Sequence, residues 1–106
     1  MLIEGQFING KSHGFGRAIL PDGSYYEGQW IESKKHGFGK YSWINGQVYI
    51  GLWEKDLMEG QGKYIWPNGT RYEGNWKEDL KDGQGKYYYE NGNIYAGSFK
   101  LGNFHG

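Results

Sequence analysis

The chain has 106 residues, the length of one structural unit, and only 37% of them are hydrophobic. Aromatics reach 19% and there are 20 glycines, which excludes an ordinary aliphatic core: the apolar area has to come from Tyr and Trp, each able to bury roughly 150–250 Å². Twelve basic and twelve acidic residues balance, against a nucleic-acid binder, and the lack of cysteine excludes disulfides and thiolate chemistry.

From the start, Met1-Leu2-Ile3-Glu4-Gly5 has neither the basic region nor the apolar run of a signal peptide. No later stretch approaches the ~20 apolar residues of a membrane span. The block Ile3-Glu4-Gly5-Gln6-Phe7 is a worn copy of Tyr26-Glu27-Gly28-Gln29-Trp30. That block returns at Tyr49–Trp53, Tyr72–Trp76 and Tyr95–Phe99, each start 23 residues after the last. A second block keeps step: Gly14-Phe15-Gly16, Gly37-Phe38-Gly39, Gly60-Gln61-Gly62, Gly83-Gln84-Gly85. So does a third: Pro21-Asp22-Gly23, Ile44-Asn45-Gly46, Pro67-Asn68-Gly69, Glu90-Asn91-Gly92. One uninterrupted array is therefore expected over 3–106, with repeats 3–25, 26–48, 49–71, 72–94 and a partial 95–106.

Interior glycines cost a helix about 1 kcal/mol each, and the alternation has period two, so these blocks predict strands. Tyr26, Gly28 and Trp30 fall on one side of the first strand of a repeat. Gly37, Gly39, Tyr41 and Trp43 fall on one side of the second. Pro-Asp-Gly suits a three-residue hairpin loop with Gly in the left-handed conformation. The other connection, residues 31–36, reads as a longer loop. Matching faces sets Tyr26 opposite Tyr41, Gly28 opposite Gly39, and Trp30 opposite Gly37. The same register sets Glu27 opposite Lys40, Glu73 opposite Lys86 and Phe38 opposite Gln29. Each Trp is expected to lie across a Gly of the facing strand. The result is all-β: an elongated single-layer antiparallel β-meander of tandem 23-residue β-hairpin repeats, each adding ~10 Å.

The pattern Tyr-x-Gly-x-Trp, His-Gly-x-Gly, then Asp-Gly-x-x-Tyr closely resembles the MORN (membrane occupation and recognition nexus) repeat. Tyr26 to Gly39 is nearest the family pattern, and the match runs from Ile3 to Gly106. It departs at Ile3 and Phe7, which replace Tyr and Trp, at Ala18 and Leu20, and at Glu59 and Asp82, which replace His. The resemblance implies a non-enzymatic scaffold that binds another protein in a cytoskeletal, ciliary or cortical assembly. The rival it implies is a membrane- or phosphoinositide-targeting module of a larger enzyme or complex. A cytoplasmic location, or one peripheral to a membrane, goes with either.

The residues themselves offer no catalytic constellation. Gly-Gln-Gly-Lys at 60–63 and 83–86 lacks the frame and the helix of a phosphate loop. His13, His36 and His105 occupy one repeat position, but equivalents ~10 Å apart cannot share a zinc, so neither metal nor cofactor is expected. Tyr26, Trp30, Tyr41, Trp43, Tyr49, Trp53, Tyr64, Trp66, Tyr72, Trp76, Tyr87, Tyr89 and Tyr95 form the candidate partner surface. A one-layer sheet cannot cover both sides of every ring, and exposed aromatic area marks interfaces. The partner expected there is an extended or helical protein segment. On the opposite face Phe38, Val48, Ile50, Leu52 and Ile65 make a secondary apolar patch. Arg17, Lys40, Lys63 and Lys86 form a basic column, with Lys34-Lys35 beside it, suited at most to weak anionic-lipid binding. Cross-strand neutralisation by Glu27 and Glu73 is its other reading. The last strand, Tyr95–Phe99, has no second strand of its own repeat. Its open edge predicts a homodimer or a partner strand.

Overall fold

Ten strands follow one another in an antiparallel sheet whose spatial order is the chain order. The computed structural model describes residues 2–8, 11–100 and 103–104, with side chains described over 14–100. The strands are β1 Leu2–Ile8, β2 Lys11–Ile19, β3 Tyr25–Ile31, β4 Lys34–Ser42, β5 Val48–Glu54, β6 Leu57–Ile65, β7 Arg71–Lys77, β8 Leu80–Tyr88, β9 Ile94–Lys100 and β10 Asn103–Phe104. With principal extents of 47 × 24 × 16 Å, the sheet is long and one layer thick.

Two turn types alternate. The loops at 20–24, 43–47, 66–70 and 89–93 hold three residues, with Gly23, Gly46, Gly69 and Gly92 at φ between 93° and 96°. An Asp or Asn carboxyl or amide oxygen accepts from the amide two residues on in each, as Asp22 does from Ser24 at 2.8 Å. That Asp/Asn-Gly chemistry is what the loop geometry demands. The other connection is shorter than expected. Glu32 and Ser33 alone join β3 to β4, both in the left-handed region at φ 48° and 67°. Lys55-Asp56 and Glu78-Asp79 repeat it. Two-residue turns of this kind follow the twist of the strands they join. They are recognised in sequence by Asn-Gly or Asp-Gly, and no such pair stands here.

The register agrees with face matching at Tyr26↔Tyr41, Glu27↔Lys40, Gly28↔Gly39 and Glu73↔Lys86. It differs at the Trp. A bulge sets the three residues His36, Gly37 and Phe38 against Gln29 alone, so Trp30 faces Lys35. Gly37 faces Trp53 of the next repeat, and Phe38 faces Leu52 rather than Gln29. At φ 78°, Gly37 supplies the left-handed residue the bulge needs.

One row crosses the sheet without a side chain: Gly5, Gly16, Gly28, Gly39, Gly51, Gly62, Gly74, Gly85 and Gly97 pair in succession. The ring lying across it is the Tyr, not the Trp. A methyl on Gly39, Gly62 or Gly85 would overlap the hydroxyl end of Tyr26, Tyr49 or Tyr72, closest to the phenol oxygen. Each hydroxyl then donates to a carbonyl of its own strand, Tyr26 to Gln29 at 3.0 Å, Tyr49 to Leu52 at 2.9 Å and Tyr72 to Asn75 at 3.0 Å. The Trp instead stands edge-on to these rings. Trp53 lies 5.0 Å from Tyr49 and 5.8 Å from Tyr26, near perpendicular to both. Its indole N–H donates to the Gly39 carbonyl at 3.3 Å. A chain of edge-to-face rings from Trp30 to Tyr95 thus runs the length of the array and forms its core.

Successive hairpins are also stapled through their turns. Asp56 Oδ1 accepts from the Lys35 amide at 2.8 Å while the Asp56 amide donates back to the Lys35 carbonyl at 3.0 Å. Asp79 does the same for Met58. At the C-terminal end β10 pairs with Lys100 and Phe99, so the last strand expected from the sequence is not the edge along its whole length.

Candidate functional site

The aromatic face divides into two ranks. Tyr26, Tyr49 and Tyr72 are wholly buried, and Trp30, Trp53 and Trp76 are nearly so at 5–6% exposure. Rings without free surface cannot touch a partner, which removes these six from the expected binding residues; they are core. Burial pushes the Tyr26 and Tyr49 phenols well above their ordinary range, and Tyr72 up to about 12. Tyr95 is partly buried and ends the inner chain, 5.6 Å from Phe99.

The outer rank is open. Tyr41, Trp43, Tyr64, Trp66, Tyr87 and Tyr89 alternate along the second strands of the repeats. Successive centroids lie 4.5, 5.3, 4.6, 5.6 and 4.8 Å apart, with the planes tilted by 32–43°. Tyr41, at 8% exposure, is core like the inner rings and also leaves the expected binding residues; Trp43, Tyr64, Trp66 and Tyr87 are partly covered, and Tyr89 is 37% exposed. This ribbon of six rings is continuous across three repeats. It arises because Tyr and Trp or Tyr sit two residues apart, on one face, in β4, β6 and β8 and just beyond them.

Between the ranks runs a column that sequence reading missed: Lys35, Met58 and Lys81, each facing the Trp of its hairpin. Lys35 Nζ lies 5.2–5.8 Å from the centroids of Tyr26, Tyr41 and Trp53 and 3.2 Å from Asp56 Oδ1. Lys81 Nζ lies 5.8–5.9 Å from four rings, Trp66, Tyr72, Trp76 and Tyr87. Among the described residues it has no ion-pair partner, and burial lowers its pKa. The bulge hides this column, since simple alternation places Gly37 opposite Trp30.

The rear face carries the expected apolar patch side by side. Phe38 faces Leu52, Val48 faces Ile65, and Ile50 lies between Lys40 and Lys63. Phe38 is 58% exposed and Leu52 40%. Along the centre of this face the glycine row forms the floor of a trough. One part, of about 800 Å³, runs from Phe38 and Ile50 to Ala96 and Gly97. A second, of about 440 Å³, continues from the same Phe38 and Ile50 back to Phe15.

Charge along the trough is not neutralised as the register suggested. Glu27 takes its ion pair from Arg17 at 3.5 Å rather than from Lys40. Glu73 takes its pairs from Arg71 at 2.9 Å and Lys63 at 3.7 Å rather than from Lys86. Direct opposition fixes the backbones, but the carboxylates lean to the other neighbour. Among the described residues no cluster of His, Cys, Asp or Glu could hold a metal. His36 is partly buried; His13 and His105 lie outside the described side chains.

A sheet built on a glycine row, with tyrosines lying across it and tryptophans set against them every 23 residues, is a tandem-repeat interaction module. The MORN repeat family model matches residues 4–25, 26–48, 49–71, 72–94 and 95–106, and the chain belongs to this family. The repeat is a non-catalytic module that in general engages proteins or membranes. No match to a curated protein is found.

Proposed function

We propose that this chain is a non-enzymatic scaffold that holds a segment of another protein against its outer aromatic ribbon. The observation behind the reading is the continuity of that ribbon: six rings in mutual contact, of which the five from Trp43 to Tyr89 keep free surface. Large rings whose conformation is already fixed bind at low entropic cost, which makes Tyr and Trp the usual anchors of interfaces. An extended or helical segment laid along the array would meet a Tyr–Trp or Tyr–Tyr pair about every 10 Å. The setting proposed with it, a cytoplasmic assembly of the cytoskeleton, cilium or cell cortex, rests on the family resemblance alone.

A photo-crosslinking residue in place of Tyr89 tests the reading, with the same residue in place of Leu52, on the rear face, as the control. The scaffold reading expects one defined protein to be captured from position 89 in cells, its yield falling in Trp43→Ala or Trp66→Ala chains that keep their circular dichroism. Capture of lipid and of no protein at that position would replace it by a membrane-targeting module. A homodimer through the C-terminal edge would appear instead as chain-to-chain adducts near Ile94.

A further inference from the structure

We propose that the rear trough is a second binding surface, a track for an acidic peptide in the polyproline II conformation whose carboxylates recur every third residue. The trough lies on the face opposite the aromatic ribbon, so the proposal does not depend on what that ribbon binds. Its floor is the backbone of the glycine row, and two ranks of side chains wall it.

One wall is basic and in phase with the repeat. Lys40, Lys63 and Lys86 follow one another at every second strand, all exposed. At the position that holds Glu27 and Glu73 in other repeats, Ile50 stands between Lys40 and Lys63 and Ala96 follows Lys86, while Glu73 itself stands between Lys63 and Lys86. Glu27 and Glu73 are themselves engaged by Arg17, Arg71 and Lys63. Lys40 and Lys86 are therefore ammonium groups with no ion pair among the described residues, on the wall of a groove rather than out on a loop. Strands ~4.8 Å apart space the three lysines by ~10 Å, and a polyproline II chain advances ~3.1 Å per residue with about three residues per turn, so every third side chain falls on one side in phase with them.

The facing wall supplies the rest. Gln61, Asn75 and Gln84 offer amide groups to the main chain of an extended occupant, and the Gln61 and Asn75 side chains already bond each other. Phe38 and Leu52 stand at the N-terminal side of this stretch, more than a third exposed, and suit an apolar residue ahead of the acidic run. Three lysines in single file along a groove fit a chain better than a plane: a lipid surface is bound by clusters of four or more basic groups that reach it together.

The test uses the full chain and three probes: a fluorescent peptide of about ten residues with Glu at every third position and one Leu before the first, a scramble of the same composition, and phosphatidylserine vesicles. The phased peptide is expected to bind about tenfold more tightly than the scramble. Its affinity should fall as salt rises, and fall about tenfold again in Lys40→Gln/Lys86→Gln, the loss expected for two exposed charge pairs. Both lysines point to solvent, so circular dichroism of the double variant should match wild type. Equal binding of phased peptide and scramble, absence of binding, or unchanged affinity in the double variant overturns the proposal. So does vesicle binding that the phased peptide fails to displace. None of these results bears on crosslinking at Tyr89, which tests the aromatic ribbon separately.

Discussion

Gly62 has a tyrosine ring where its side chain would be. A methyl there would overlap Tyr49, whose hydroxyl is anchored on the Leu52 carbonyl at 2.9 Å and whose ring is held by Trp53 and Trp76. Since the ring has nowhere to retreat, Gly62→Ala should cost at least ~2–3 kcal/mol, the upper range of overpacking. At Gly97 the nearest atom, the Tyr95 hydroxyl oxygen, stands 2.8 Å from the same hypothetical methyl, and this Tyr is only partly buried. Gly97→Ala should therefore cost less, and urea denaturation of the two variants ranks them. Equal losses would mean that the glycines matter for backbone freedom and not for the rings. The buried phenols predict a pH limit as well. Their folded pKa values are raised above the unfolded 10.0, so the stability they contribute is complete below pH 10 and is lost as pH climbs toward the folded values. The melting temperature should be flat up to about pH 9 and fall by several degrees per unit above 10, with the part of the tyrosinate absorbance that comes from Tyr26, Tyr49 and Tyr72 appearing only as the chain unfolds. Which ring lies on the glycine was not legible in the sequence. Tyr and Trp share one face by parity, and parity says nothing about which ring lies flat and which stands on edge.

The same parity explains what alternation hid at the level of the hairpin. The bulge sets three residues against one, adding two to β4, and an even insertion returns every later side chain to its expected face. The pairs Tyr26↔Tyr41 and Gly28↔Gly39 were therefore readable, while Trp30↔Lys35, the two-residue turn and the Lys35–Met58–Lys81 column were not. The turn carries a testable load. Asp56 sits at φ 71°, bonds the Lys35 amide and pairs with its ammonium. Asp56→Ala loses both contacts and keeps the strained backbone, costing about 2 kcal/mol; Asp56→Gly loses the contacts but relieves the strain and should cost about half of that. Chemical denaturation that finds Gly the worse of the two would assign the effect to the staple alone. Lys81 can be judged against its own repeat equivalent, since Met58 fills that position at 8% exposure. The four rings give the ammonium about 0.5–2 kcal/mol, set against the desolvation that lowers its pKa. Lys81→Met keeps the packing without the desolvation, so its melting temperature should equal or exceed that of wild type. Because the folded pKa is lowered, the penalty is full below it and fades as pH rises toward 10.5, so the difference between the two proteins should narrow there. A difference that widens would mean the cation is a net stabiliser.

Across the whole molecule, among the described residues, each strand pairs only with its neighbours and packs rings against the next strand but one, so stability is a sum of like interfaces along an open sheet. Excising residues 49–71, one repeat, should leave a shorter sheet that still unfolds cooperatively, at a lower temperature. Removing twelve residues from within that span should break the glycine row and abolish folding. Circular dichroism melts of the two deletions distinguish them, and a folded half-repeat deletion would show that register is not set by the row. The repeats were plain from the sequence because tyrosines, glycines and turns recur in step. The division of the aromatic face was not, because burial depends on what the next repeat lays over each ring. The row of paired glycines has one further consequence. Every interface from β1 to β9 keeps the same offset, so the sheet neither slips nor accumulates error along its length. Such a protein is a ruler graduated in steps of ~10 Å, and a change in repeat number would alter the length it measures while leaving each graduation as it was.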